Sequence, residues 1–309
     1  MELIIVATIQ LFAVTLLAPL AMGIVKKCKA RFQGREGASI LLPYTTILTL
    51  WKKETLVSTT ASYVYHMVPV IVFASALSLA FAIPLISSDA PVPGLASFFV
   101  LAGVFMLSSV FMVLGGLDTG GVFGGMASSR EMTIASLVEP AVLLTFGAIT
   151  LHTAGSTDMI AYAGLNVLHA PALFVAVVAL IFVALAENAR FPVDNPATHL
   201  ELTMVHEGMI LEYSGRQLAL FEWASAIKLT IFALLIANIF YPAPLLTLPI
   251  AATSVLPTLL VTVAKIAVVM FFLALLESTI AKMRFYRMQE YLGVAAVLGF
   301  TALLLTILS

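Results

Sequence analysis

Long uninterrupted runs of apolar residues alternate with short polar stretches along most of this 309-residue chain. A helix needs roughly 20 apolar residues to cross the hydrocarbon core of a bilayer. The runs lack the residue-by-residue alternation that is typical of barrel strands, so the pattern predicts helices. Eight segments are predicted to be transmembrane helices: residues 3–25, 62–87, 95–116, 132–152, 167–187, 216–240, 256–281 and 291–308.

One further apolar segment, SILLPYTTILTLWKK at residues 39–53, is too short to cross and ends in two lysines. Such a segment is typical of an amphipathic helix that lies on the membrane surface. We expect a surface helix here, and a plain loop is the alternative.

The composition supports the membrane class. Hydrophobic residues make up 61% and charged residues 10% of the chain, with a mean hydropathy of +1.10. Soluble domains are about half apolar and about a quarter charged. We therefore predict an all-α integral membrane protein with a single polytopic domain over residues 1–309, containing about eight transmembrane helices and a surface amphipathic helix.

Metal and nucleic-acid chemistry find little support in the sequence. A single cysteine, Cys28, excludes a cysteine-ligated iron–sulfur cluster or zinc site within the chain. The five histidines are scattered and no pair has a metal-ligand spacing. The net charge is −1, and no basic patch is large enough to suggest a nucleic-acid partner. We expect no cofactor and no metal in this chain.

Basic residues occur in alternate loops, which predicts the orientation of the helices. The loops SSDAPVPG, HTAGSTDMIAYAG and YPAPLLTLP contain no Lys or Arg. Positive charges follow the first apolar run instead of preceding it, so we interpret that run as an anchor and not as a cleaved signal peptide. We expect the cytoplasmic (inner) membrane, with both termini outside and the basic loops in the cytoplasm.

Several charges fall inside predicted transmembrane helices, where a mid-helix charge costs about 3 kcal/mol. Ionisable residues at this depth typically mark proton or ion pathways. Structural ion pairs that hold helices together are the alternative interpretation. The residues predicted to couple ions are Glu139, Glu222, Lys228, Lys265 and Glu277.

The stretch from Glu187 to Arg216 gathers carboxylates in a chain that has few. Prolines on both sides of Asp194 in FPVDNP predict an extended segment. Apolar residues separate the acids, so we favour a buried or docked acidic loop over an idle solvated one. Glu212 and Arg216 are four residues apart and are expected to pair on a helix. The predicted coupling residues of the loop are Glu187, Asp194, Glu201, Glu207 and Glu212, supported by Arg190 and Arg216.

Several stretches resemble one family of membrane subunits. They are FPVDNP and EYSG in the acidic loop, GLDTGGVFGGMASSREMTIASLVEP (116–140), ARFQGREGAS (30–39) and LESTIAKMRF (276–285). Together they resemble the membrane subunit shared by respiratory complex I, where it is subunit 1 or H, and the group 4 membrane-bound nickel–iron hydrogenases. GLDTG, ASSRE, LVEP and WASAIKL are more similar to the hydrogenase branch, of the formate hydrogenlyase and hydrogenase-4 type.

The resemblance implies a subunit of eight transmembrane helices that carries no cofactor itself. It places iron–sulfur clusters and a nickel–iron centre in peripheral large and small hydrogenase-like subunits, with antiporter-like membrane subunits alongside. Residues 187–215 are then expected to dock the peripheral arm. By position, Glu139 and Arg130 match the family's fourth-helix motif, and Tyr213 matches the loop motif.

The resemblance favours a membrane anchor and ion-coupling subunit of an energy-converting hydrogenase, which moves protons or sodium. A quinone-site subunit of a complex I-type oxidoreductase is one alternative, although the family pattern QPxxDxxK is replaced here by Leu42, Pro43, Thr46 and Thr49. A nickel-free hydrogenase-related complex is a second, because any nickel ligands would lie in another subunit. A stand-alone cation transporter is a third, and no internal repeat favours it.

Overall fold

The computed structural model describes residues 2–85, 96–153, 167, 170–194, 205–241, 252–280 and 285–308. Within these ranges the regular secondary structure is helical. The helices are α1 (Glu2–Phe32), α2 (Leu42–Lys52), α3 (Tyr63–Ala82), α4 (Phe98–Asp118), α5 (Val122–His152), α6 (Pro171–Glu187), α7 (His206–Met209), α8 (Gly215–Phe240), α9 (Ala252–Thr279) and α10 (Phe285–Leu308).

The predicted all-α membrane architecture is confirmed. Among the described residues, seven helices are long and apolar enough to cross a membrane: α1, α3, α4, α5, α8, α9 and α10. The segment predicted at 167–187 forms α6, an apolar helix of 17 residues. Helix α5 begins at Val122, ten residues before the predicted start at 132, because the polar run before that point continues the helix instead of ending it.

The long helices alternate in direction, and one end of the bundle carries most of the charge. This charged end holds the last turns of α1, α6 and α9 and the first turns of α5 and α8. Helix α8 is the most enclosed of the candidate membrane helices, and α9 is the least. Helix α8 packs against α1, α2, α3, α6 and α9, whereas α10 packs against α5 and α6.

The predicted surface helix is α2, which lies across the charged end against α8 and α1. It buries Pro43 and Ile47 and leaves Leu48 and Trp51 exposed. The start of α8 approaches the chain just beyond α2 so closely that a Cβ on Gly215 would lie 2.5 Å from the Glu54 carbonyl oxygen. Gly215 also has a φ of +54°, which glycine adopts without strain.

Candidate ion-coupling site

A small polar cavity lies between α3, α4, α5, α6, α7 and α8. Its volume is about 30 Å³. A site needs roughly 10–15 Å³ to hold one water molecule, so this cavity has room for about two. Its polar lining consists of Ser75, Ser108, Ser109, Ser225, Asn188, Glu131, Glu187, His206 and Lys228. We refer to it below as the polar cavity.

A salt bridge at the polar cavity joins Lys228 of α8 to Glu187 at the end of α6. The Lys228 Nζ lies 2.7 Å from the Glu187 Oε2, and only 16% and 8% of the two side chains are exposed. The ammonium group also lies 5.4 Å from the centre of the Phe105 ring, within cation–π range. The attraction between the two charges offsets the free-energy cost of burying them. Removing either partner leaves the other charge buried without a counter-charge, which destabilises the fold.

Two further ionisable groups, Glu131 and His206, face the polar cavity and were not predicted from the sequence. Glu131 lies nine residues into α5, in the run that had been interpreted as a loop. Burial, with a contribution from the nearby Lys228 charge, lowers the pKa of His206 to about 4. The imidazole is therefore neutral at physiological pH and offers one donor and one acceptor.

Asp194 connects the end of α6 to the short helix that carries His206. Its side chain is 3% exposed, and its Oδ2 accepts a hydrogen bond from the backbone N–H of Val205 at 3.3 Å. This contact fixes the chain one residue before His206. Asp194 therefore helps to position the segment that carries His206. Its own carboxylate does not line the polar cavity.

Glu207, Glu222 and Asp194 form a second group of carboxylates. Burial, together with the nearby carboxylates of Glu222 and Asp194, raises the pKa of Glu207 to about 7. A carboxyl group with this pKa exchanges protons at neutral pH. The predicted residues Glu207 and Glu222 are thus close enough to influence each other across the start of α8.

Glu277 belongs to a separate buried ion cluster at the charged end. Its two oxygens contact Lys29 Nζ at 3.1 Å and Arg190 Nη1 at 3.3 Å. The Arg190 side chain also contacts Met22 Sδ at 2.6 Å, and Lys29 lies 4.1 Å from the centre of the Phe191 ring. These contacts join α1, the end of α6 and α9, which favours a structural role for the cluster.

The predicted charges Glu139 and Lys265 do not line the polar cavity. Glu139 is half-buried on a face of α5 where Met132 and Leu143 are exposed. Lys265 of α9 donates a hydrogen bond to the Asn238 Oδ1 at 3.2 Å. Arg130 lies within α5, and not in a loop as its place between predicted helices had indicated.

Tyr213, the aromatic residue of the loop motif, packs against a second tyrosine. Tyr213 is buried and stacks on Tyr65, with ring centres 4.1 Å apart and nearly parallel planes. The Tyr65 hydroxyl donates to the backbone carbonyl of Glu212 at 2.8 Å. Burial raises the pKa of the Tyr213 phenol, so the ring acts as a neutral packing element.

The predicted helical pair between Glu212 and Arg216 is wrong. Helix α8 begins at Gly215, after Glu212, so the two residues do not share a helical face. Both side chains are exposed. Among the ion pairs of the described residues, none joins them. Glu201, the remaining predicted loop acid, lies outside the described residues.

The fold and the polar cavity define a polytopic helical membrane protein with ionisable groups enclosed by its helices. The chain belongs to the NADH dehydrogenase family, whose model matches residues 4–308. This confirms the resemblance to the complex I and hydrogenase membrane subunits that the sequence motifs indicated.

Two relatives come from Escherichia coli (strain K12). Hydrogenase-4 component C is 33% identical over 289 residues, which cover 92% of this chain and 89% of the relative. Formate hydrogenlyase subunit 4 is 28% identical over 284 residues, with 90% of each chain covered.

A solved structure supports the fold. A chain in the structure of the membrane-bound sulfane sulfur reductase, an archaeal respiratory membrane complex, superimposes with a TM-score of 0.83. The match covers 99% of this chain and 100% of that chain at 16% identity. At this identity the likeness concerns the fold alone.

Proposed function

We propose that this chain is the membrane anchor and ion-coupling subunit of an energy-converting hydrogenase complex. The observation that carries the proposal is the 2.7 Å contact between Lys228 and Glu187 in a cavity that Glu131 and His206 also line. Membrane-embedded ionisable groups of this kind typically serve ion pathways. The names of the two relatives, both hydrogenase or formate hydrogenlyase components, support the type of complex.

The polar cavity offers a two-state proton site. When Lys228 is protonated and Glu187 is ionised, the pair is a salt bridge. Transfer of the proton from Nζ to a carboxylate oxygen leaves a neutral amine and a neutral acid. Glu131 supplies a second carboxylate, and about two waters would fit between the groups. A change of charge in a docked partner would shift the balance between these states.

The charged end is the proposed docking face for the peripheral arm. Exposed Glu212 and Arg216 lie there, and the partly buried Glu207 and Glu222 belong to α7 and the first turns of α8. We infer that this end faces the cytoplasm and that both termini lie outside, as the distribution of basic loops predicts. The peripheral large and small subunits would carry the nickel–iron centre and the iron–sulfur clusters.

The position of Glu139 on α5 suggests which face of the chain contacts a second membrane subunit. A carboxyl group on an outward face of α5, with Met132 and Leu143 exposed beside it, would meet lipid if the chain stood alone. An ionisable group facing hydrocarbon costs several kcal/mol. We infer that an antiporter-like membrane subunit covers this face and that Glu139 passes protons or sodium ions to it.

The decisive experiment is to purify the chain through a tag in mild detergent from its native cells. Co-purified subunits are identified, and nickel, iron and hydrogen evolution are measured. A nickel-containing partner with hydrogen activity would support the proposal. Iron–sulfur clusters without nickel would favour a nickel-free complex, and a chain that emerges alone and transports cations after reconstitution would favour the transporter.

A quinone-reactive subunit of a complex I-type oxidoreductase is the second candidate, favoured by the family description. The Tyr44 hydroxyl of α2 already donates a hydrogen bond to the Leu16 carbonyl. Burial raises the Tyr44 pKa, so the phenol stays protonated. Quinone-dependent activity that falls on Tyr44→Phe or Lys53→Gln substitution would favour this candidate over the hydrogenase.

A further inference from the structure

Helix α7 carries two neighbouring ionisable residues whose surroundings differ. The side chain of His206 lines the polar cavity. Glu207, the next residue, does not line it, and the charges of Glu222 and Asp194 are close enough to act on it. Consecutive α-carbons are about 3.8 Å apart. The step from the second group of carboxylates to the polar cavity therefore spans a single residue of the chain.

Contacts at both ends of α7 hold this four-residue helix in place between α4 and α5. The Asp194 carboxylate accepts a hydrogen bond from the backbone N–H of Val205, directly before the helix. At the other end, Met209 packs so closely against α4 that a Cβ on Gly116 would lie 3.2 Å from the Met209 Cβ. The His206 ring therefore keeps its position in the wall of the polar cavity.

The ring nitrogens of His206 are free to bind water. Among the described residues, neither nitrogen has a hydrogen-bond partner in the protein, and the polar cavity has room for about two waters. Burial and the nearby Lys228 charge lower the pKa of His206 to about 4, so a full positive charge on the ring is disfavoured. A proton can then cross the ring only if one nitrogen gains a proton as the other loses one. The charged and titratable groups around the ring are Lys228 of α8, Glu187 at the end of α6, Glu131 of α5 and Asp194.

We propose that His206 is the proton-transfer residue through which the second group of carboxylates exchanges protons with the polar cavity. This role rests on the proposed ion-coupling function and adds the point at which protons enter. In the inward step, the Glu207 carboxyl gives its proton through a water molecule to one ring nitrogen. The other nitrogen releases its proton to a cavity water, which passes a proton to the Glu131 carboxylate. The imidazole stays neutral and ends with its N–H on the opposite nitrogen, and a ring flip restores the first tautomer.

Ion movement in proteoliposomes tests the proposal on the intact complex with wild-type, His206→Gln or His152→Gln chains. Glutamine keeps a donor and an acceptor, but its amide does not pass a proton from one to the other. We expect His206→Gln to slow coupled ion movement about a hundredfold and to leave the unfolding temperature of the complex unchanged. His152 ends α5 far from the charged end, so its variant is the matched control and should equal the wild type.

A double variant distinguishes a shared route from a structural effect. Two residues in series block the same route, so His206→Gln/Glu207→Gln should be no slower than the slower single variant. Effects that multiply in the double variant would place the two residues on separate routes and overturn the proposal. A loss of coupling in His206→Gln that accompanies a lower unfolding temperature would also overturn it, because the role would then be structural.

Lys228→Gln, measured in the same assay, distinguishes failure of the His206 role from failure of the proposed function. If Lys228→Gln loses coupling while His206→Gln keeps it, protons reach the polar cavity by another route, and only the role of His206 is overturned. If both variants keep full coupling, the ion-coupling function of the polar cavity is wrong, and the role of His206 is wrong with it.

Discussion

Two lysines on adjacent helices, Lys228 and Lys265, have contrasting environments. Lys228 faces the polar cavity and has a carboxylate partner at 2.7 Å. Lys265 lines an apolar groove between α6, α8 and α9 and has a neutral amide partner at 3.2 Å. Sequence position alone made them equivalent candidates for ion coupling. Depth in the membrane therefore marks both lysines as unusual, while the partner group decides what chemistry each of them can perform.

Removal of Lys228 should have the largest effect. Lys228→Gln leaves the Glu187 carboxylate buried without its cation, and breaking such a pair costs about 3–5 kcal/mol. We expect a lower unfolding temperature of the purified complex and loss of ion coupling. Lys52→Gln, at an exposed position, should change neither quantity.

The double variant Lys228→Gln/Glu187→Gln separates stability from coupling. It removes both charges, so much of the lost stability should return while coupling stays absent. If the double variant recovered coupling together with its unfolding temperature, Lys228 and Glu187 would be structural only and the relay would have to run elsewhere.

Glu131 should come next, because its effect is confined to function. Glu131→Gln keeps the shape of the side chain and removes its titration, and loss of a proton-transfer group costs about a hundredfold in rate. The measurement is ion movement per turnover in proteoliposomes. Glu36→Gln, in an exposed loop, is the matched control. Unaltered coupling in a fully assembled Glu131→Gln complex would remove this residue from the relay.

Glu207 should show a moderate effect that depends on pH. Its pKa rises from 4.5 to about 7 in the folded chain, so its neutral form stabilises the fold. That stability is present below the unfolded pKa and is lost as pH rises through about 7. Thermal unfolding of wild type should therefore occur at lower temperature at about pH 8 than at about pH 6. Glu207→Gln should reduce this difference, and an identical pH profile in both proteins would contradict the shift.

Glu212 should show the smallest effect on the chain itself. The side chain is exposed, so Glu212→Gln should change the free energy of unfolding by less than about 0.5 kcal/mol. Its proposed role is to meet the peripheral arm, and release of peripheral subunits by salt is the measurement. The variant complex should release them at lower ionic strength than the wild type. Release at the same ionic strength would argue against a docking role.

Much of the fold followed from the sequence because membrane helices are long and uniform in composition. The pattern failed at the start of α5, where the polar run SSRE was interpreted as a loop end. The sequence does contain a signal for the longer helix. The helical spacing of Val138 and Ile134 continues toward the N-terminus to Glu131 and Ser128. These positions share one inward face of the helix, so extending the period would have identified Glu131.

The composition of the polar cavity was harder to predict, since it depends on contacts between distant segments. His206 reaches the cavity through a short helix that Asp194 holds in place, and no local pattern indicates that geometry. Glu139 and Glu131 lie on the same helix and both are half-buried, but Glu131 lines the polar cavity and Glu139 does not. The sequence pattern selected Glu139 on this helix, and only the packing of the helices shows that Glu131 lines the polar cavity.

The contact between Glu187 and Lys228 has a consequence for how the protein is made. Glu187 is synthesised 41 residues before Lys228 (228 − 187), so α6 leaves the ribosome first. Inserting a lone lysine near the middle of a helix costs about 3 kcal/mol. A carboxylate already waiting at the end of α6 offsets that cost, which favours lateral entry of α8 beside α6. The same pair that serves as a proposed proton site would then also set the order in which the nascent helices join.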